Sequence, residues 1–219
     1  MWLSETDLNF PEINEVTEEG ILALGGDLKP ERLIKAYQNG IFPWYSEGEP
    51  IIWYCPDPRM VLFFDQLKIS KSMRSLLKKD LFKITFNQNF EQVISNCKTI
   101  NRNDGLGTWI TDDMQAAYIR LHKMGIAKSV EVWQNETLVG GLYGIDLGHI
   151  FCGESMFSKV SNASKTAFIY LAEKLKKENY QFLDCQVYND HLASLGAEEI
   201  CRNTFLRLLK TSKKRSPLL

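Results

Sequence analysis

Leu183-Asp184-Cys185-Gln186 sets an acid and an amide two residues apart. In an extended strand, side chains two apart share a face. Tyr180, Phe182, Asp184 and Gln186 are therefore expected to point one way, and Gln181, Leu183, Cys185 and Val187 the other. An acid inside so apolar a strand is costly without a partner. Two readings are open: a structural Asp184 bonded to a loop backbone, or an Asp184 that orients Gln186, whose amide oxygen can accept a hydrogen bond from a reactant. A second segment, FCGESMFSKVSNASK (151–165), gathers a carboxylate, hydroxyls and large apolar groups. Its Glu154, Ser155 and Met156 are either an ordinary strand-end turn or a carboxylate facing a cation. In the second case they stand beside a pocket of Phe151, Met156 and the helix Phe168–Leu175, although such a helical face is by itself what any core helix presents. Neither segment contains a metal site, a phosphate loop or a nucleophile with its base, and no cofactor is called for. Together they suggest a site that aligns reactants and supplies no attacking side chain.

Aromatic and basic residues are the other candidates. Five tryptophans suit core packing. Trp44 in GIFPWYS and Trp109 in LGTWIT, however, fall in expected loops, where an aromatic ring can stack on a nucleobase for ~1–3 kcal/mol; Trp53 and Tyr118 are considered with them. Lys68, Lys71, Arg74, Lys78, Lys79 and Lys83 form a dense basic run with almost no compensating acid. It is a solvated helix face or a patch for a phosphate backbone, and Lys210, Lys213, Lys214 and Arg215 are placed to extend it. Gly25-Gly26-Asp27 and Gly140-Gly141 lack the spacing and the Lys-Ser/Thr of a P-loop. His122, His149 and His191 have no metal-ligand spacing. No G-x-S-x-G accompanies His191, so a structural histidine is expected there.

The elements that must position these groups follow from periodicity. In LGGDLKPERLIKAYQNGIFPW, Pro30 suits the first turn of a helix, Glu31 complements its positive end, Leu33, Ile34 and Tyr37 make the buried stripe, and Gly40 ends it. Pro50, Pro56 and Pro58 then break any long element. A small N-terminal module is expected, with a boundary near Arg59–Leu62. Beyond it, Met73, Leu76 and Leu77 oppose the basic face of a helix. A strand over Lys83–Asn87, a helix near Asn89–Cys97 and a loop at NRNDGLG (101–107) follow. Thr111 or Asp112 caps a helix carrying Met114, Ala117, Tyr118 and Leu121, which Gly125 stops. SVEVWQNETLVGGLYGIDLGHIFCGES reads as three strands. A helix from about Ala163 to Glu178 buries Phe168, Leu171, Ala172 and Leu175. YQFLDCQV is a strand and TFLRLLK a closing helix. Helix, antiparallel meander, helix, strand, helix is an α+β pattern.

Composition narrows the classes. The chain has 219 residues, 44% hydrophobic and 24% charged, an ordinary soluble globular balance. A formal net charge of -1 gives no global field toward nucleic acid, so any such binding must be local. Cys55, Cys97, Cys152, Cys185 and Cys201 are odd in number and scattered, which points to reduced buried thiols. The start, MWLSETDLNFPEINEVTEEG, is acidic and lacks an apolar core, so neither a signal peptide nor an anchor is expected. No eighteen-residue apolar run occurs, so no membrane span is expected.

Several blocks carry a family resemblance. GILALGGDLKPERLIKAYQNGIFPWYS, PIIWYCPDPRMVLF, TWIT, SVEVWQNETLVGGLYG, FCGESMFSKVSNASKTA and LDCQVYNDHLASLGAEEI, in this order, resemble the leucyl/phenylalanyl-tRNA–protein transferases. The match runs from about Gly20 to Leu209. The resemblance implies a cytoplasmic enzyme that moves Leu or Phe from Leu-tRNA or Phe-tRNA to the α-amine of proteins with N-terminal Lys or Arg, marking them for degradation. It also implies a small N-terminal domain (1–60) followed by an acetyltransferase-like (GNAT-like) domain (61–219) with a mainly antiparallel sheet flanked by helices. By the same resemblance Asp184 and Gln186 are the catalytic pair, and Glu154 holds the acceptor's basic side chain. Trp44, Trp109, Tyr118, Phe151 and Met156 surround the aminoacyl-adenosine, Leu142, Leu171 and Leu175 line the apolar pocket, and Ser155 counts among the substrate-binding residues. If so, the tRNA's phosphates would meet the basic cluster Lys68, Lys71, Arg74, Lys78, Lys79 and Lys83, a reading that rests on charge and not on the resemblance.

The chemistry would need little from the protein. An aminoacyl ester is already activated toward an amine, so holding an uncharged amine in line with its carbonyl suffices, and alignment of that kind supplies ~7–11 kcal/mol. Two rival readings remain: an acetyl-CoA-dependent N-acyltransferase on the same fold, which lacks the expected Gly-rich pyrophosphate loop, and a non-catalytic RNA- or peptide-binding module.

Overall fold

Prolines and glycines cut the first sixty residues into short pieces, and these build a four-stranded sheet with one helix. The computed structural model describes residues 1–100 and 109–211; the NRNDGLG segment and the basic residues beyond Thr211 lie outside them. The first pieces are β1 (Trp2–Leu3), β2 (Ile21–Gly25), α1 (Pro30–Gln38), β3 (Phe42–Pro43) and β4 (Ile52–Tyr54), with the strands in the order β1-β2-β4-β3. Pro30 opens α1 and Glu31 sits in its first turn. Arg32, Leu33, Ala36 and Tyr37 are buried, whereas the expected Ile34 is only half-buried. Gly40 then turns the chain at φ +76, where a Cβ would meet the Phe205 and Leu206 side chains at 2.8 Å.

Arg59, where the boundary is expected, opens β5 (Arg59–Phe63), a strand of the second sheet. After it come α2 (Lys71–Leu77), β6 (Lys83–Phe86), α3 (Phe90–Thr99), α4 (Asp112–Lys123), β7 (Ala127–Gln134), β8 (Thr137–Asp146), β9 (Phe151–Ser158), α5 (Ala163–Lys177), β10 (Phe182–Gln186), α6 (Asp190–Ser194), β11 (Glu198–Ile200) and α7 (Arg202–Thr211). Thr111 caps α4, its Oγ1 accepting from Met114 N–H at 3.2 Å. The strands run β11-β5-β10-β9-β8-β7-β6. Every neighbouring pair is antiparallel except β9 and β10, which run parallel. The α+β reading holds. Neither α6 nor β11 was expected, because each is too short to show a period.

Each sheet face carries its own apolar cluster. One joins α5 and Met73 of α2 to Met60, Leu62, Leu142, Phe151, Leu183 and Cys185. The other joins α3, α4 and α7 to Val61, Tyr143, Cys152 and Phe182, and runs on without a break into Leu33, Tyr37, Phe42 and Trp53 of the N-terminal module. The module thus shares a core with the larger sheet.

Two register shifts prepare the site. On β9, Ser155 pairs with Tyr143 and Gly153 with Gly144, which leaves Glu154 as the extra residue of a bulge. On β10, Asp184 pairs with Val61 and Gln186 with Met60, which leaves Cys185 as the extra residue. A bulge bends its strand and re-aims the side chains beside it. Gly144 permits the first bulge, since a Cβ there would lie 2.2 Å from the Cys152 carbonyl oxygen. Gly144→Ala is therefore expected to destabilise the fold by roughly 1–3 kcal/mol, the usual range for overpacking. Urea unfolding measures this, and an unchanged midpoint would show that the strands relax around the methyl.

Candidate active site

The parallel pair opens the site. β9 and β10 pair only at Phe151–Leu183 and Cys152–Asp184. Past that point β9 continues through Gly153 to Ser158, β10 leaves through its bulge, and a cavity of about 620 Å³ fills the split. That volume suits a small-molecule moiety of substrate size. Leu142, Met156, Phe168, Leu171 and Leu183 give it an apolar wall, and Trp44, Trp109 and Tyr188 also border it. Trp44 and Tyr188 are exposed.

Asp184 is fully buried and needs a counter-charge. Arg59 supplies it with a two-pronged grip: Nε donates to Oδ1 at 2.8 Å and Nη2 to Oδ2 at 2.7 Å. Arg59 Nη1 donates to the Gly40 carbonyl at 3.1 Å, and the guanidinium lies 4.8 and 4.5 Å from the Phe42 and Phe205 ring centres. Burial alone would push the Arg59 pKa down; Asp184 more than offsets this, and it stands above the ordinary value. The two side chains form a buried ion pair.

Gln186 follows in the left-handed region at φ +66, which few non-glycine residues adopt. Asp184 Oδ1 accepts the Gln186 backbone N–H at 2.9 Å and so holds that turn. The expected coupling of Asp184 to Gln186 exists, but through the backbone and not the amide. The amide is fixed elsewhere: Nε2 donates to Glu154 Oε1 at 2.8 Å. With its donor end tethered, its Oε1 takes no hydrogen bond among the described residues, and Gln186 lines the cavity.

Glu154 lies mid-strand, not in a strand-end turn. It keeps some access to the cavity, while its carboxyl is sunk among hydroxyls. Oε2 accepts from Tyr118 at 3.0 Å, and the Tyr118 hydroxyl is hydrogen-bonded to that of Tyr37. Burial pushes the Glu154 pKa up to about 8, and the Asp184 charge adds to this. The hydroxyls of Tyr37 and Tyr118 and the Gln186 amide pull it back. Both its oxygens are thus engaged by the protein, Oε1 by the Gln186 amide and Oε2 by the Tyr118 hydroxyl.

Of the other residues expected at the site, Trp44, Trp109, Leu142, Ser155, Met156 and Leu171 line the cavity. Tyr118, Phe151 and Leu175 do not: all three are fully buried behind the wall. Tyr118 works from there through Glu154, and Phe151 and Leu175 pack in the α5 cluster. Trp53 is a core residue whose Nε1 donates to the Gly25 carbonyl at 2.9 Å. Lys68, Lys71, Arg74, Lys78, Lys79 and Lys83 are all exposed. Cys185 lines the cavity, but burial first, with the Asp184 charge, raises its pKa so far that it remains a thiol. Four of the five cysteines are buried as expected; Cys201 is exposed. His191 also borders the cavity, its Nε2 buried and without a partner among the described residues, and burial keeps it neutral.

Arg59, Tyr37 and Tyr188 were not foreseen. Arg59 carried one signal, a charged residue opening the apolar run Met60–Phe64. Tyr188 carried another, an aromatic just past Gln186.

The profile of the leucyl/phenylalanyl-tRNA protein transferases matches residues 61–210, and that of their N-terminal domain matches 26–57. The chain belongs to this family. It is an enzyme, an aminoacyltransferase, and both rival readings fall. A leucyl/phenylalanyl-tRNA–protein transferase of Flavobacterium johnsoniae is 69% identical over 94% of this chain and 97% of its own length. The Pseudomonas aeruginosa relative of the same name is 49% identical over 99% and 96%. Among solved structures, a GCN5-related N-acetyltransferase from Kribbella flavida aligns at 9% identity over 75% of this chain and 58% of its own, with a TM-score of 0.40. Among the described residues, no helix is long and apolar enough to cross a membrane.

The Glu154 pKa has a thermodynamic signature. Between the ordinary carboxylate value and about 8, the native state holds a proton that the unfolded chain has released. Native stability therefore falls as pH rises through that window and levels off above it. Glu154→Gln removes the dependence. Between pH 5 and 8 the stability difference is expected to move against the wild type by about 2 kcal/mol or more, at ~1.4 kcal/mol per unit. Parallel stability-pH curves would refute a raised Glu154.

Proposed function

We propose that this enzyme moves leucine or phenylalanine from the 3′ end of its tRNA to the α-amine of a protein beginning with lysine or arginine, in the cytoplasm, and so marks that protein for degradation. One observation carries the reading. The Gln186 amide is tethered by its nitrogen to Glu154, and its oxygen is left to a cavity that also carries Leu142, Met156 and Leu171. The amide can therefore accept an N–H from an amine while the apolar wall holds the aminoacyl side chain.

The step needs no covalent intermediate. The amine lone pair attacks the ester carbonyl, a C–N bond forms, and the ester C–O bond breaks. The ammonium proton passes to the departing 3′ oxygen, directly or through water. An α-amine has a pKa of about 7.7–8.0, so an uncharged fraction is present near neutrality. Gln186 cannot act as a base. Its carbonyl aligns the amine and disperses positive charge that grows on nitrogen during attack. A hydrogen bond to a charged group is worth about 1.5–3 kcal/mol, so Gln186→Ala is expected to slow transfer roughly 10–100-fold. Side chains branched at Cβ would be disfavoured by ~1–3 kcal/mol in such a slot.

Trp44, Trp109 and Ser155 are proposed to meet the terminal adenosine, and Lys68 to Lys83 the phosphates. Radiolabelled Leu-tRNA and Phe-tRNA, mixed with peptides beginning Arg, Lys, Asp or Ala, test the assignment. Transfer to Arg and Lys alone is expected; equal transfer to all four would end the acceptor reading, and none to any would end the whole reading. For the phosphates, replacing Lys71, Arg74 and Lys78 together by Ala is expected to raise KM for tRNA and flatten its salt dependence by roughly one unit of slope for each phosphate no longer neutralised. An unchanged KM and slope would leave these residues as a solvated face.

A further inference from the structure

Gln186 is held by two separate arms, and both end at the C-terminal end of α1. The first runs from the Gly40 carbonyl to Arg59, from Arg59 to both oxygens of Asp184, and from Asp184 Oδ1 to the Gln186 backbone N–H. The second runs from the Tyr37 hydroxyl to that of Tyr118, then to Glu154 Oε2, and from Glu154 Oε1 to the Gln186 amide nitrogen. Tyr37 lies in the last turn of α1 and Gly40 just beyond it. One arm fixes a backbone turn and the other fixes which end of the amide meets the reactant.

Neither Arg59 nor Tyr37 borders the cavity. Each is at most 1% exposed. Burial, then the Glu154 charge, raises both the Tyr37 and Tyr118 pKa well above that of an ordinary phenol, so both stay neutral hydrogen-bonding groups. Without the second arm, the amide could turn its nitrogen toward an amine, which needs an acceptor. Without the first, the left-handed turn at Gln186 would lose the bond that offsets its strain.

We propose that Tyr37 and Arg59 are positioning residues for the transfer step: they fix the Gln186 amide through Glu154 and Asp184 and touch no reactant. The N-terminal module thereby becomes part of the catalytic apparatus. This rests on Gln186 being the acceptor for the amine.

The test is transfer kinetics of the full chain, with Phe-tRNA and a peptide beginning with Arg. Tyr37→Phe, Arg59→Lys and Gln186→Ala are compared, and the first two are also placed on the Gln186→Ala background. Misplacement of a catalytic group by an ångström costs up to about 100-fold, so kcat is expected to fall roughly tenfold or more in Tyr37→Phe and Arg59→Lys, with both KM values within about twofold. On the Gln186→Ala background neither change should lower kcat further, because the group they position is gone. Losses that multiply on that background, losses confined to KM, or a wild-type kcat in Tyr37→Phe would overturn the proposal. If Arg59→Lys fails to fold, Tyr37→Phe, which removes one hydroxyl, decides alone. A wild-type kcat in Gln186→Ala would overturn the reading of Gln186 and the proposal with it. A slow Gln186→Ala beside a fully active Tyr37→Phe would overturn the positioning alone.

Discussion

Asp184 carries a charge in a place where water cannot reach it, and the rest of the site depends on how that charge is met. Arg59 stands on the strand beside it and takes both its oxygens. The pair is no gift to stability: taking two ions out of water costs several kcal/mol each, and an apolar pair of the same volume would often do as well. Removing one partner is another matter, since the stranded charge costs about 3–5 kcal/mol. The pair therefore acts as a constraint. With Arg59 fixed between Phe42 and Phe205 and bonded to Gly40, Asp184 has one position, and its Oδ1 can hold the next strand residues in a turn they would not otherwise adopt.

An ordinary sheet becomes a site here by small departures from regularity. β9 and β10 carry one extra residue each, close to where their short parallel pairing ends. The bulge on β9 presents Glu154 and the bulge on β10 presents Gln186, and the two meet at 2.8 Å. The same divergence makes the cavity. Had both strands kept their register, their remaining backbone groups would have paired and closed the gap the substrate needs. Gly144 makes the first departure possible, because no side chain fits against the Cys152 carbonyl.

How far the sequence discloses this depends on the range of each interaction. α4 and α5 show a helical period and Thr111 caps the first as its type suggests, because these signals are local. The strand alternation correctly sends Phe182 and Leu183 to opposite faces. Cys185 still joins Leu183 as expected, but the inserted residue ends the period of two, and Val187 packs in the cluster of Phe182 and not in that of Leu183. Asp184 announces that it needs a partner but not which one, since Arg59 is 125 residues away in the chain. Tyr37 fits the apolar stripe of α1 and shows nothing of its hydroxyl's errand. Tyr118, Phe151 and Leu175 are expected at the site both from their residue types and from the resemblance, and neither can distinguish a residue on the wall from one behind it.

The charge arithmetic of the finished site bears on the chemistry. Arg59 cancels the Asp184 charge, and burial disfavours charge on Glu154, raising its pKa to about 8. The surroundings of Gln186 thus do little to favour an ammonium over an amine. A free carboxylate in the same place would bind the acceptor more tightly but in its protonated, unreactive form, which strengthens the ground state at the expense of the rate. An amide carbonyl avoids this. It accepts a hydrogen bond from a neutral amine, gains strength only as charge develops on nitrogen, and takes no proton that must later be returned. The cost is that an amide has two ends that look alike in shape, and only one of them is useful. On the proposed reading, keeping the correct end forward is the task of the Tyr37–Tyr118–Glu154 arm, which would account for so much buried hydrogen bonding around a group that performs no chemistry of its own.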